Sequence, residues 1–326
     1  MIGKLLSPLK WAMVMFIGLS LTGCGDDRPE QIAKYQQLSE QRLSVLASAL
    51  DNGQVRNANL LSQYSGILAN QQPELAPLIN ELAKDATTTG PMYQSLKRRV
   101  AELGSEANFV NLDQQLSEAQ NLHEAADVSL FNDMLSDPVN VIADMSQGTL
   151  ARVNAMSREA EALANGSEDY GAGSQLVGNP AYGSWQTNSS GMSFWAWYGM
   201  YSMFSNMFHR PIHYDRWSGS RGYSYYNDVG RYRYTSPKQA TAQNRTYEQT
   251  RRQFDRQGKR FDSPYAKNRT GSTSLSRQST STPRASTAGT TQNRKFRSNY
   301  ASNSNRNNSS LRNSSNRTSR GIRLGK

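Results

Sequence analysis

The sequence predicts a mostly α-helical protein: an N-terminal bundle or elongated, coiled-coil-like array of helices, a small aromatic-rich middle block with a β-hairpin, and a long disordered basic C-terminal tail. Three observations predict it. Apolar residues recur at three- and four-residue spacing through most of residues 29–165, the period of a half-buried helix. Aromatic residues crowd into residues 179–237. From residue 238 onward Ser, Thr, Asn, Gln and Arg displace apolar residues, leaving too little surface to bury against chain entropy.

Residues 1–23 read as an export signal. Lys4 and Lys10 are the charges of the first ten residues, and residues 11–19 form an apolar run too short to hold a bilayer-spanning helix. The run leads into Leu21, Thr22, Gly23 and Cys24, and Cys24 is the single cysteine of the chain. This Leu-x-Gly-Cys ending resembles the lipobox of bacterial lipoproteins, the substrates of signal peptidase II. The resemblance is confined to these residues and the segment before them, and no more specific family follows from it. It implies cleavage before Cys24, acylation of its thiol, residues 24–28 as a lipidated tether, and attachment to a membrane through lipid. Each buried methylene contributes ~0.8 kcal/mol, so two or three acyl chains make release negligible. In the sorting of such lipoproteins an Asp directly after the cysteine retains the protein in the inner membrane. Here Gly25 follows and Asp26 comes one later, which favours the outer membrane over the inner, facing the periplasm.

Residues 29–165 carry the helical stripes. Tyr35, Leu38, Val45, Leu46, Ala49 and Leu50 follow the three-four rhythm, and Asp51-Asn52-Gly53 closes that helix. Leu60, Leu61, Tyr64, Ile67 and Leu68 give the next. Pro73 stands where a helix begins, ahead of Leu75, Leu78, Ile79 and Leu82. Met92, Leu96, Val100 and Leu103 follow, then Phe109, Leu112, Leu116, Ala119 and Leu122, and finally Leu150, Val153, Met156, Ala160 and Leu163. Short connections point to antiparallel neighbours. Polar interruptions of the stripes leave a looser elongated coiled coil as the alternative.

Residues 166–178 read as a Gly/Ser linker. In the aromatic block, residues 193–208 fit one helix, with Phe194, Trp197, Tyr198, Tyr201, Phe204 and Phe208 on one side and methionines over much of the rest. A segment apolar on every side calls for burial in protein or lipid. With Trp195, these six aromatics are the candidate membrane or partner contact, because an apolar body with a polar tip suits both interfaces and cores. Residues 223–226 and 231–234 flank Asn227-Asp228-Val229-Gly230 and read as a β-hairpin. In the segment from 238 to the end, residues 239–261 carry a transient helix and the remainder is disordered.

Composition and charge narrow the function classes. Hydrophobic residues are 36% of the chain and the mean hydropathy is −0.73. With Cys24 acylated no thiol remains for a disulfide. The net charge of +11 divides unevenly, about −11 over residues 26–169 and about +20 over residues 170–326, with no acid after Asp262. In a cytosolic protein such a tail would suggest nucleic acid. In an exported one the anions within reach are lipid headgroups, lipopolysaccharide and the carboxylates of peptidoglycan.

No catalytic constellation emerges. The three histidines are His123, His209 and His213; Pro211 interrupts the His209–His213 pair, so the two do not share a regular helical face as metal ligands. No Gly-x-Ser-x-Gly elbow, Walker loop or dinucleotide glycine pattern occurs. No metal, cofactor or catalytic residue is therefore expected. The expectation is a non-enzymatic envelope lipoprotein that acts as an interaction or scaffold protein, with the membrane, an envelope protein and an anionic lipid, lipopolysaccharide or peptidoglycan as partners. The alternative is a cell-wall or polysaccharide-modifying hydrolase or its accessory factor, using paired carboxylates of the helical half.

Overall fold

The computed structural model describes residues 26–197 and 211–265. It is mostly helical, with a single two-stranded sheet among the described residues. The N-terminal half folds as α1 (Arg28–Asp51), α2 (Arg56–Gln71), α3 (Ala76–Ala83), α4 (Pro91–Glu102), α5 (Leu112–Ala125), α6 (Val128–Met134), α7 (Ser136–Met145) and α8 (Arg158–Asn165). Local chemistry sets several of the starts. Asn111 accepts from the Gln114 N–H, Asp127 from those of Ser129 and Leu130, and Ser157 from that of Ala160. Gly166, at φ +62°, ends α8 in the left-handed conformation that favours glycine.

The apolar stripes supply the core. Leu43, Leu46 and Leu50 are buried on α1, Leu60, Leu61, Tyr64 and Leu68 on α2, and Leu78, Ile79 and Leu82 on α3. Two residues of the expected stripes face outward, Val45 at 60% exposure and Leu163 at 90%. Helical spacing explains the first, since Val45 falls between Leu43 and Leu46 on the opposite side. The expected antiparallel order of sequence neighbours does not describe the main packing of α1. Arg28, at the start of α1, reaches Asp113 at the start of α5 (2.8 Å), and Arg42 donates to the His123 carbonyl near the end of α5 (2.8 Å). The two helices run parallel.

The second half does not follow the sequence reading in four places. Residues 166–178 are no loose linker: Ser174–Leu176 forms a 3₁₀ turn, and Leu176 and Val177 are buried in the same apolar core as the helices. Residues 193–208 do not form one helix. Ser193–Trp197 is a strand, β2, paired antiparallel with β1 (Gly183–Thr187) in the register that sets Trp185 opposite Trp195. The turn between them is held by Asn188, whose carboxamide oxygen accepts from Ser190 and Met192, and by Gly191 at φ +78°.

The hairpin expected at residues 223–234 is helical instead. After α9 (Tyr214–Ser220), a π-helical turn (Tyr226–Gly230) runs into α10 (Arg231–Tyr234). Its opening N–H groups, those of Tyr225 and Tyr226, are taken by the carboxylate of Asp137 on α7 (2.8 and 2.9 Å). That distant cap overrides the local turn signal of Asn227-Asp228-Val229-Gly230. Finally, the segment that begins at 238 opens with a long helix, α11 (Pro237–Arg256), started by a capping box in which Ser236 and Gln239 satisfy each other's N–H groups. Beyond it Phe261 is buried in the core, and the Pro264 carbonyl accepts from Arg221.

Candidate ligand-binding cleft

The hairpin and α11 form the two walls of a cleft, and an aromatic cluster forms its floor. Trp185 lies edge-on to Trp195 and to Tyr214, both with ring centroids 5.0 Å away, and 5.3 Å from Trp217. Tyr214 continues to Phe261 (5.8 Å), and Phe261 to Phe254 on α11 (4.9 Å). The Arg231 guanidinium lies 3.8 Å over the ring of Tyr265. The hairpin is tied to the body beyond its own pairing, because the Trp195 N–H donates to the Ile212 carbonyl (2.9 Å) and Phe194 bridges His213.

The cleft has two chambers. The inner one is a crevice of about 120 Å³ between Gly183, Ser184, Trp185 and Trp195 on one side and Gln239, Ala242, Gln243 and Thr246 on the other. It carries no ionisable side chain. The Nε1 atoms of Trp185 and Trp195 are buried and make no hydrogen bond among the described residues, although Trp195 is only 1% exposed. Gln243 is fully engaged: its oxygen accepts from Arg231 Nε, and its amide nitrogen donates to the Gly178 carbonyl and to Tyr226 Oη. The outer chamber is an open groove of about 820 Å³ lined by Thr187, Ser190 and Ser193 of the hairpin and by Arg252, Arg256 and Lys259 at the end of α11. Asp215 is the one carboxylate of its lining. None of the three cations pairs with a carboxylate among the described residues, whereas Arg251, which does not line the groove, pairs with Glu248 and Asp255.

Several charges elsewhere hold the fold. Arg221 and Asp228 form a buried two-point pair (2.7 and 2.9 Å), Arg99 pairs with Glu118 at 2.8 Å, and Arg152 lies 3.6 Å from both Asp144 and Glu161. Burial pushes the Asp137 carboxyl up to about 7, opposed by the N–H groups of Tyr226 and Tyr225. Burial likewise pushes Asp85 up to about 7, opposed by the Met92 N–H and the Tyr182 hydroxyl. Neither carboxyl lines the cleft. Burial also raises the Tyr214 hydroxyl on the cleft floor, so it stays neutral.

Among the residues expected to act, Trp195 requires correction: it is a core side chain sealed beneath the hairpin, and its burial leaves it no surface to offer a membrane or partner. Phe194 is half-buried. Trp197 closes β2, and its side chain lies outside the described residues, as do Tyr198, Tyr201, Phe204 and Phe208 and the whole of Leu21, Thr22, Gly23 and Cys24. The described structure adds Trp185, Arg252, Arg256 and Lys259. A sequence signal for the last three existed in the Ser236–Gln239 capping box and the three-four spacing of polar residues after it. No group of three or more His, Asp or Glu able to hold a metal occurs among the described residues, nor a helix long and apolar enough to cross a membrane. The chain matches no family model, no curated protein and no solved structure.

Proposed function

We propose that this chain is a lipid-anchored bacterial envelope lipoprotein that works by binding rather than catalysis, an interaction or scaffold protein at the periplasmic face of a membrane. Cys24 is its anchor, and Gly25 in the following position favours the outer membrane. The observation that carries the binding role is the groove, where Arg252, Arg256 and Lys259 face one carboxylate and have no acidic partner among the described residues. Cations left unpaired beside a wide cavity serve an anion from outside better than they serve the fold. The segment after Asp262 extends the same character, since it adds Arg and Lys and no acid. Anionic lipid, lipopolysaccharide and peptidoglycan share the chemistry these groups recognise. Phe194, Trp197, Tyr198, Tyr201, Phe204 and Phe208 are the proposed contact with an envelope protein or the headgroup layer.

Retention of the mature, unlipidated chain on an immobilised polyanion, measured across salt concentrations, tests the reading. Affinity should fall steeply, with a log–log slope that grows with the number of charges engaged. Replacing Arg252, Arg256 and Lys259 together by Gln should shallow the slope. Binding that ignores salt would count against the proposal.

A further inference from the structure

We infer that the free edge of β1 takes an extended peptide from a partner protein, added as a further strand in the cleft beside α11, with an apolar side chain in the crevice and acidic residues along the groove. The acidic part of this inference rests on the anion-binding role proposed above; the strand pairing does not.

Antiparallel strands bond to each other at every second residue, and the residues between turn their N–H and C=O groups toward the opposite edge. The phase of this ladder is set at the turn, where the Asn188 N–H donates to the Met192 carbonyl (3.1 Å). Counted back along the register, the bonded pairs are Gln186 with Phe194 and Ser184 with Ala196. β2 keeps the same phase, since Trp195, an intervening residue, turns its N–H outward to the Ile212 carbonyl (2.9 Å). The outer edge of β2 is therefore covered by the chain at Ile212 and His213. On β1 the intervening residues are Gly183, Trp185 and Thr187, and their N–H and C=O groups make no hydrogen bond among the described residues. The strand itself does not guard this edge. Gly183–Thr187 carries neither proline nor charge, the usual devices against an added strand, and Ser184, Gln186 and Thr187 are exposed.

The cleft runs along this edge. Successive residues of a strand point to opposite faces, so a crevice lined by Gly183, Ser184 and Trp185 together lies at the edge where the two faces meet. Thr187 continues the line into the groove. The unpaired groups recur at every second residue, about 7 Å apart. An extended peptide backbone presents donors and acceptors at that repeat, whereas a polyphosphate, a sugar chain or a lipid headgroup has no such alternation. The side chains of an added strand alternate as well. The crevice of about 120 Å³ carries no charge and sets Pro180 and Trp185 against Ala242, so it suits one apolar side chain and no ionised one. Past Thr187 the groove places Arg252, Arg256 and Lys259 opposite a single lining carboxylate, Asp215. That balance selects acidic residues at this end of the peptide. It also disfavours the occupants this chain could supply: the segment after Tyr265 has no acid, and a second copy brings the same cations.

The test uses the full mature chain without its lipid. The probe is a labelled peptide of alternating valine and threonine with glutamates at both ends, read by fluorescence anisotropy. It is compared with a lysine-flanked version, with two versions N-methylated at opposite sets of alternate residues, and with polyphosphate. The glutamate peptide should bind at least tenfold more tightly than the lysine peptide and should slow hydrogen exchange at the Trp185 and Thr187 amides. One methylated version should lose binding at least tenfold and the other should keep it, the signature of pairing along one edge. Thr187→Pro removes an edge N–H that has no partner among the described residues. It should weaken the glutamate peptide at least tenfold and leave polyphosphate within twofold, with unchanged melting. Arg256→Gln with Lys259→Gln should weaken both. Normal binding of both methylated peptides, or unchanged exchange at Trp185 and Thr187, would overturn the strand pairing while leaving anion binding in place. Equal affinity for the glutamate and lysine peptides would overturn the acidic assignment. Peptide binding that emerges only when the chain is ended after Tyr265, or a dimer that Thr187→Pro dissolves, would give the edge to this chain's own segment or to a second copy and overturn the partner assignment. Failure of polyphosphate to bind, with peptide pairing intact, would overturn the anion-binding role alone.

Discussion

Raising the pH from about 4.5 to 7.5 should weaken this fold, and Asp137→Asn should remove a defined part of the loss. Asp137 lies in the first turn of α7, buried, with one carboxylate oxygen on the Tyr225 N–H and the other on the Tyr226 N–H. Burial pushes its carboxyl up to about 7, with Asp228 adding to the rise and Arg152 opposing it. Asp85 is pushed up to about 7 by burial as well. In the unfolded chain both titrate at about 3.9. Between those values the folded state holds protons that the unfolded state has released, so stability is greatest at the acid end, falls as the pH climbs toward 7, and levels off above it. A displacement of about three pKa units at ~1.36 kcal/mol per unit makes each carboxyl worth about 4 kcal/mol across the window. Against a typical total of ~5–15 kcal/mol that is a large share.

The variant turns this into a crossing pair of curves. Its carboxamide would keep an acceptor for one N–H but face the other with its own NH₂, so near pH 5 the substitution should destabilise by about 1–3 kcal/mol. Near pH 8 the wild type carries a buried ionised carboxyl and the variant does not, so the deficit should vanish or reverse. Urea midpoints of both proteins at small pH steps give the comparison. His123 pulls the other way near pH 6, because burial and Arg42 hold its pKa down. The difference between the two proteins is therefore the quantity to read. Parallel pH curves, or wild-type stability that climbs steadily from pH 5 to 7, would refute the reasoning.

Trp195→Ala should destabilise by about 3–5 kcal/mol, the range for emptying a buried aromatic site, and a thermal melt that matches wild type would remove Trp195 from the core. Cys24→Ser should abolish incorporation of a fatty-acid analogue in cells, since the hydroxyl lacks the thiol's nucleophilicity; equal labelling would sink the lipoprotein proposal. Ending the chain after Tyr265 should leave helicity and melting unchanged while reducing polyanion affinity. Ending it after Gly258 should lower the melting temperature, because Phe261 leaves the core and Arg221 loses the Pro264 carbonyl; two truncations with equal melting would contradict that assignment.

The helical half was legible because its information is local. Leu60, Leu61, Tyr64 and Leu68 declare a buried face by spacing alone, and Asp51-Asn52-Gly53 marks the end of α1 by residue type. Where the reading failed, the deciding partner was far away in sequence. Asn227-Asp228-Val229-Gly230 reads as a turn until the Asp137 carboxylate, some ninety residues earlier, takes the N–H groups that open a helical turn. Residues 193–197 suit either a helix or a strand by composition, and the pairing of Trp195 with Trp185 selects the strand. Polar residues with few apolar ones suggested at most a transient helix after 238, yet Tyr247, Phe254 and Phe261 suffice to seat α11 on the aromatic cluster. The cleft was invisible for the same reason, since its walls come from segments more than forty residues apart.

The charge asymmetry of the chain takes on a different meaning once its partners are known. An acidic first half and a basic second half suggest two bodies attracting through solvent, within a Debye length of ~10 Å. Among the described residues the halves also meet in direct contacts: Arg99 donates to the Arg233 carbonyl, Arg233 pairs with Glu124 at the surface, and Tyr234 Oη donates to the buried Ala125 carbonyl. Asp137 contributes its two bonds to the same seam. These contacts fix where the second half sits. Arg221 is taken by Asp228, and Arg231 by Gln243 and Tyr265. Among the described residues, the cations beside a cavity that have no carboxylate partner are Arg252 and Arg256, on the last turns of α11, and Lys259 just beyond its end. Weakening the seam should therefore disable the groove without touching it. Arg99→Met, which leaves Glu118 buried and unpaired, should cost about 3–5 kcal/mol of stability. It should loosen polyanion binding only as the fold melts. If affinity instead dropped tenfold at a temperature where circular dichroism still reports the full helical signal, the seam would be setting the groove's shape rather than only its stability.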